Sequence, residues 1–326
     1  MKASSSVALV PVAKATAATV IMGLCLLILP FVQPVVTPFL VLPAVHVVAS
    51  RGPVSGAIVA VVSGGLLYVV GGVSSALLAF LLVLCMGAAL GQALRRRWDF
   101  TRSLATTAGA ALFAFVAWGM ALWLVLGVNL TDLRESAYAS IEETAALYVQ
   151  MGVGTATADS VSDLLRRFVD IVPYLAPGLL GMGAILLAGC SMGLAYLLFP
   201  RLREKVTVDL SLSRFRMHWA VAYASIAGLA MLLFARGDGD WQAVVLYVGI
   251  NILLVSQTLF FVQGMAVLRW FVVSRRMRPG SWAALFVAAI VGQVLVHVTA
   301  LAGLFDTWFD YRKRFALKSP GAGPLG

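Results

Sequence analysis

Residues 54–94 read VSGAIVAVVSGGLLYVVGGVSSALLAFLLVLCMGAALGQAL and contain no charged residue. At about 1.5 Å of rise per residue, a helix of this length is about twice as long as one bilayer crossing requires. Gly71 and Gly72, followed by Ser74 and Ser75, mark a turn near the middle of the stretch. The stretch therefore predicts two membrane-spanning helices joined by a tight turn.

The composition of the whole chain agrees with this local pattern. Of the 326 residues, 61% are hydrophobic and 12% are charged, whereas soluble domains carry about 25% charged residues. So few charges cannot cover a globular surface, which excludes a soluble enzyme and a disordered protein. The mean hydropathy of +0.95 is typical of an integral membrane protein.

Other charge-free runs of about 20 residues predict further crossings. With the two halves of the first stretch, the runs are 15–32, 54–71, 73–94, 104–128, 171–199, 217–235, 241–268 and 281–305. A shorter run, 35–50, lies among prolines and is either a kinked span or a re-entrant segment. We predict an all-α, polytopic transmembrane helix bundle of about eight to nine membrane segments. Residues 1–317 form its single domain, and the Pro/Gly-rich tail, 318–326, is expected to be disordered.

Clusters of basic residues indicate the orientation of the chain. They lie at the ends of apolar runs, at Arg95–Arg97, Arg201–Arg216, Arg275–Arg278 and Arg312–Arg314, as in loops retained in the cytoplasm. No nucleic-acid-binding motif accompanies them, so the expected partner is the lipid bilayer and not nucleic acid. The rule favours nine spans, but it leaves a conflict, because only the run 281–305 separates the last two clusters. Either one of these clusters faces outward or 281–305 does not fully cross.

The segment 129–171 is external in this orientation. It carries seven acidic residues against three arginines. Apolar residues recur at helical spacing before and after the glycines at 152 and 154. We expect two amphipathic helices that lie on the bilayer or over a cavity.

The predicted spans contain no Asp or Glu. Burying an ionisable group in lipid costs free energy, so such a group within a membrane span indicates a function. The absence of carboxylates therefore argues against proton-coupled transport and against an intramembrane aspartyl protease. The three histidines lack metal-ligand spacing and the three cysteines lie far apart, so neither a metal site nor a cofactor is predicted. Because no nucleophile–base pair is evident either, we do not expect an enzyme.

Neutral polar residues in the last two predicted spans are the candidate ligand-binding residues. They are Asn251, Gln257, Gln263, Gln293 and His297. Gln293 and His297 are four apart and would share a helix face. These residues either line a pocket for a small uncharged or zwitterionic ligand, or join helices through hydrogen bonds within lipid.

The C-terminal region combines charges with aromatic residues. Asp306 and Asp310 are four apart, and Asp310 precedes Arg314 by four, which is a favourable order for an ion pair on a helix. Together with the neighbouring Trp308, this pattern predicts an ion-paired helix end at an aromatic interface belt.

Two segments, QGMAVLRWF at 263–271 and GLFDTWFDYRKR at 303–314, resemble the YybS-like family of bacterial membrane proteins. The family-like motif residues are Asp306, Asp310, Arg312, Lys313 and Arg314. The resemblance implies a multi-pass protein of the bacterial cytoplasmic (inner) membrane, distantly related to the substrate-binding S components of energy-coupling-factor transporters. It leads us to expect S-component-like binding or uptake of a small molecule, with an ATPase and a coupling subunit as partners. The alternative is a membrane scaffold or assembly factor that binds other proteins and transports nothing.

Overall fold

The computed structural model describes residues 3–29, 32–152, 154–199, 212–235 and 239–313. Within these ranges the chain is helical and has no β-strand, as the sequence predicts. The helices are α1 (Ala3–Ile28), α2 (Gln33–Arg51), α3 (Pro53–Arg96), α4 (Phe100–Leu126), α5 (Leu130–Gln150), α6 (Thr155–Leu198), α7 (Ala220–Phe234), α8 (Asp240–Ser274), α9 (Pro279–Val296) and α10 (Val298–Phe309). A short 3-10 helix, Leu212–Arg214, precedes α7. The predicted disordered tail, 318–326, lies outside the described residues.

α3 is a hairpin of two antiparallel segments. Gly72 interrupts the helix with φ 73° and ψ −177°, a conformation that glycine adopts at little cost. Gly64 and Phe80 lie next to each other across the hairpin, although a straight helix would separate them by about 24 Å. At the open end, the Arg95 guanidinium lies beside Gly52. The turn predicted in the middle of the uncharged stretch is therefore present.

Close contact between α2 and α3 builds the N-terminal part of the bundle. A methyl group added at Gly87 would touch Ala44, and one added at Gly91 would touch Val48. Glycines four apart thus let the two backbones approach, as membrane helices need when no water drives them together. Buried side chains of α2, α3, α4, α6 and α8 continue from this contact as one apolar core.

α5 packs against the first half of α6. Arg134 and Tyr138 of α5 both donate hydrogen bonds to Asp170 of α6. Arg166 of α6 donates to Glu142 of α5 at 2.7 Å. Helices therefore occur in both places where the external loop was predicted to contain them, and the second of these continues without a break through the following apolar run.

Several loops meet at one end of the bundle. The rings of His46 and Phe199 are 5.0 Å apart, and those of Phe100 and Phe215 are 5.2 Å apart. These contacts bring together the ends of α2 and α6, the start of α4 and the segment before α7. We call this face the basic end, after the arginines at these helix ends and in the loops between them: Arg51, Arg95, Arg96, Arg97, Arg102 and Arg216.

The opposite end of the bundle holds the turn of α3. There the Trp118 indole donates to the Ser74 carbonyl oxygen at 3.0 Å. The rings of Tyr174 and Tyr247 stack 4.6 Å apart, joining the middle of α6 to the start of α8. The helix pair of α5 and α6 follows α4 at this end.

Within the described ranges, six helices are long and apolar enough to cross a membrane, and the bent pair α9–α10 would make a seventh. The count is lower than the eight to nine segments predicted, because α3 counts once despite its reversal and α7 has 15 residues. The proline-containing α2, whose crossing the sequence left open, is among the six.

The run 281–305, whose full crossing the sequence left open, is not one continuous helix. α9 and α10 meet at His297 with a bend of 97°, and His297 has φ 54°. The Gln293 side chain accepts a hydrogen bond from Ala300 N at 2.9 Å, so it satisfies a backbone donor in the first turn of α10. Gln293 and His297 therefore mark a helix end and do not share one continuous helix face.

Candidate functional site

An open groove of about 500 Å³ lies between α6, α7 and α8. Its lining residues are Pro177, Gly178, Ala220, Val221, Ala224, Asn251, Ile252, Val255, Ser256 and Leu259. Small residues on α6 and α7 leave this space open. Since only Asn251 and Ser256 contribute polar side chains, the groove suits an apolar molecule or one with a single polar end.

Asn251 joins α8 to an interrupted part of α6. Pro173 and Pro177 lie within that helix, and proline has no N–H to donate to the helical ladder. The Asn251 amide donates to the Tyr174 carbonyl oxygen at 2.8 Å and accepts from Gly178 N at 2.5 Å. A regular helix would pair those two backbone groups with each other. The Asn251 amide thus lies between these two groups of α6 and links α6 to α8. Joining helices through hydrogen bonds is one of the two roles that the sequence left open for this residue.

A second polar site, which we call the buried clamp, consists of Gln263 on α8, Asp306 on α10 and Arg312 beyond α10. Asp306 Oδ2 accepts hydrogen bonds from Gln263 Nε2 at 2.7 Å and from Arg312 Nη2 at 2.8 Å. The side chains of Asp306 and Arg312 are 3% and 5% exposed. Charges this deeply buried are tolerated when they are paired and hydrogen-bonded, as here.

The buried clamp fastens the chain that leads into α7. Arg312 donates through Nη1 to the Ser213 carbonyl oxygen and through Nη2 to that of Phe215, each at 2.7 Å. Gln263 Oε1 accepts from Met217 N at 3.0 Å. Because α7 forms one wall of the groove, the clamp and the groove are connected through this segment.

Asp306 corrects the expectation that the helical interior lacks a carboxylate. The sequence placed it just beyond the last span, at an interface, but the bend at His297 turns α10 into the bundle. Asp306 Oδ1 is buried and has no hydrogen-bond partner among the described residues. The expectation is wrong because only the packing of α10 against α8 buries this residue.

Two glycines let Asp306 reach α8. A methyl group added at Gly264 would collide with the Thr299 carbonyl oxygen, and one added at Gly303 would collide with that of Phe260. The backbones of α8 and α10 are therefore in direct contact, as at other small-residue helix crossings. This crossing was not evident from the sequence, although each glycine lies within three residues of a candidate site residue.

Asp310 forms a more exposed ion-pair group at the basic end. Arg216 donates to its two carboxylate oxygens at 3.0 and 3.1 Å, and Lys313 Nζ lies 3.1 Å away. Burial raises the pKa of Asp310, but the Lys313 hydrogen bond and the charges of both cations outweigh it and hold that pKa below its ordinary value. The partner Arg216 was not evident from the sequence, and the predicted partner, Arg314, lies outside the described residues.

The structure does not bring the five neutral candidate residues together. Asn251 lines the groove, Gln263 belongs to the buried clamp, and Gln293 caps α10. His297 is exposed at the bend. Gln257 Oε1 is buried and has no hydrogen-bond partner within the described part of the chain. Three of the five therefore join helices, and one of these three also faces the groove.

The described ranges hold no group of three or more His, Cys, Asp or Glu side chains that could bind a metal ion. The cysteines Cys25, Cys85 and Cys190 are free thiols. What the two sites offer chemically is apolar contact in the groove and ion pairing in the clamp.

Comparison with known proteins identifies a family. The family model described as Predicted membrane protein (DUF2232) matches residues 17–307. The match includes the groove and, from the buried clamp, Gln263 and Asp306, and it ends before Arg312. No curated protein and no solved structure gave a match.

Proposed function

The chain belongs to the predicted membrane protein family DUF2232, and we propose that it binds a small, largely apolar molecule within the membrane. The observation that carries the proposal is the open groove of about 500 Å³ between α6, α7 and α8. Its lining is apolar except on the α8 wall, where the Ser256 hydroxyl donates to the Leu253 carbonyl oxygen and keeps its acceptor capacity. A ligand with an apolar body and one polar end would match this wall.

The proposal includes a topology of eight crossings and one re-entrant pair in the bacterial cytoplasmic membrane. The crossings are α1, α2, the two segments of α3, α4, the second half of α6, α7 and α8. They put every basic cluster on the cytoplasmic side, as the positive-inside rule expects. α9 and α10 form the re-entrant pair, and the contacts of Asp310 and Arg312 with the basic end support it. No complete span then separates the last two basic clusters, so their conflict disappears.

The same topology puts α5 and the first half of α6 outside the cell. Leu133 on α5 and Leu164 and Phe168 on α6 are exposed apolar side chains. Acidic side chains interrupt them along both helices. Helices of this kind rest on a bilayer surface with their apolar side chains toward the lipid.

Thermal stability of the purified full-length protein tests ligand binding. In a panel of metabolites and single-chain lipids, we expect at least one compound to raise the Tm of the wild type. The variant Ala224→Phe fills the groove and should lose this shift. Ala227→Phe, on an exposed part of α7 outside the groove, is the matched control and should keep it. If no compound stabilises the wild type, or if Ala224→Phe keeps the full shift, the proposal fails.

An S-component-like role in uptake extends this proposal. Such a role requires an ATPase and a coupling subunit, so both should copurify with the tagged protein from bacterial membranes. Mass spectrometry of the purified complex would identify them. If neither the ATPase nor the coupling subunit copurifies, the uptake role is contradicted and the proposal of ligand binding remains.

A second candidate function, a membrane scaffold, is favoured by the outer surface of α6. Gly189 and Gly193 are four apart, and no described neighbour lies within 4 Å of a methyl group added at either position. Such a surface admits the close approach of another helix. Cys190 is exposed beside them, so oxidative cross-linking of a variant lacking Cys25 and Cys85 tests it. A cross-linked dimer in this variant that disappears when Gly193→Leu is added would support the scaffold. If no cross-linked dimer forms, a scaffold that assembles through this surface of α6 is contradicted.

A further inference from the structure

α9 is an apolar helix that the rest of the chain leaves largely uncovered. It contains no charged residue, and none of its described side chains is buried. Val294 and Leu295 are 76% and 72% exposed. An apolar surface of this extent indicates contact with lipid or with a partner.

Three arginines lie at the entrance to α9. Arg275, Arg276 and Arg278 are exposed, and no described carboxylate forms an ion pair with any of them. The Arg275 guanidinium lies 5.6 Å from the centre of the Phe271 ring. Trp282 follows one turn into α9, and tryptophan is enriched at the headgroup level of membranes.

The far end of α9 returns to the same side of the bundle. Thr299, just after the bend, contacts Gly264 of α8. Asp310, at the end of α10, pairs with Arg216 at the basic end. Because the bend after α9 and the end of α10 are both held there, α9 has no need to reach the opposite leaflet.

We propose that α9 inserts into the cytoplasmic leaflet and that Arg275, Arg276 and Arg278 bind the phosphate groups of anionic phospholipids. Charge complementarity selects this occupant, because an anionic lipid presents a phosphate and acyl chains to the same cations and the same apolar helix. A second copy of the chain would bring arginines against arginines, and like charges repel. The inference goes beyond the proposed function, since it requires no ligand in the groove, and it rests on that proposal for the side of the membrane on which α9 lies.

Native mass spectrometry of the full-length protein tests the lipid site. Phosphatidylglycerol is titrated against the wild type, with phosphatidylcholine as the zwitterionic comparison. In the triple variant Arg275→Gln, Arg276→Gln, Arg278→Gln, we expect phosphatidylglycerol binding to weaken on the order of 100-fold. The corresponding triple lysine variant keeps the charges and should retain binding. Arg167→Gln, an exposed arginine of α6, is the charge-loss control and should bind as the wild type does.

Glycerol 3-phosphate shows whether a phosphate alone is the ligand. We expect it not to compete at concentrations at which the lipid saturates the protein, and full competition would overturn the lipid proposal. Equal binding of phosphatidylcholine, or unchanged binding by the triple glutamine variant, would also overturn it. Should that variant fold poorly, as an altered Tm without lipid would reveal, Arg276→Gln replaces it and should weaken binding about 5-fold.

Insertion of α9 has its own readout. The fluorescence of Trp282, obtained as the difference between the wild type and Trp282→Phe, should be quenched by phosphatidylglycerol brominated on its acyl chains. Absence of quenching would overturn the insertion of α9 even if the arginines bind lipid.

Discussion

At the scale of single residues, Arg312 joins parts of the chain that lie far apart in sequence. Its guanidinium contacts Asp306 and the carbonyl oxygens of Ser213 and Phe215. A buried charge destabilises the folded protein when its oppositely charged partner is removed. The family resemblance singled out Asp306 and Arg312 in the sequence, but it could not identify the backbone oxygens, because any residue type can supply a carbonyl.

Loss of the Arg312 guanidinium should destabilise the protein strongly. Arg312→Gln leaves the Asp306 carboxylate buried without its cation, so we expect a loss of about 3–5 kcal/mol in unfolding free energy. Asp306→Asn combined with Arg312→Gln should cost less than the sum of the two single losses, because the two residues interact directly. Denaturation of the purified variants measures these values. Additive losses would contradict a coupled pair.

The ion pairs of Asp310 predict a dependence of stability on pH. The folded pKa of Asp310 lies below the ordinary value of 3.8. Its contribution is therefore present above that ordinary value and is lost as the pH falls through the folded pKa. Below about pH 4, the wild type should lose stability more steeply than Asp310→Asn. Parallel stability curves for the two proteins would argue against this role.

At the scale of elements, two interruptions of helices shape the bundle. The reversal at Gly72 was predictable, because paired glycines followed by serines disfavour a continuous helix locally. The bend at His297 was not predictable, because histidine has no comparable preference for positive φ. In the structure, the bend occurs together with the packing of α10 against α8 through Gly264 and Gly303, which is a tertiary contact.

The crossing of α8 and α10 should not tolerate a methyl group. In Gly303→Ala the new carbon would collide with the Phe260 carbonyl oxygen, and we expect a cost of about 1–3 kcal/mol. Gly109→Ala on α4 is the matched control, since no described atom lies within 4 Å of its added carbon. That control should be neutral or gain up to about 1 kcal/mol, because alanine favours helix over glycine. Equal stabilities of the two variants would refute the close crossing.

At the scale of the whole molecule, the basic end gives the bundle a direction. The ion pair of Arg216 with Asp310 brings the C-terminal segment to the same face as the loops after α2 and α3. The sequence identified the basic clusters but left open whether one of the last two faces outward or 281–305 does not fully cross. The sequence could not decide between these alternatives, because hydropathy measures how apolar a segment is and not whether its helix bends.

Labelling of single cysteines tests which end of the bundle faces the cytoplasm. In a background without native cysteines, Lys313→Cys and Arg276→Cys should react with a membrane-impermeant maleimide in inverted vesicles and not in intact spheroplasts. Thr144→Cys on α5 should show the reverse pattern, since its helix lies at the opposite end. Labelling of Lys313→Cys from outside would mean that the α9–α10 pair crosses the membrane.

The sequence by itself determined that the chain is a helical membrane protein and where its first hairpin turns. Hydropathy and the conformational freedom of glycine belong to short segments, so they can be read without knowing the fold. The tertiary structure alone decided that α9 and α10 bend apart, that Asp306 is buried and that α6, α7 and α8 leave a groove between them. These features depend on which distant segments come into contact, and residue type alone does not specify those contacts.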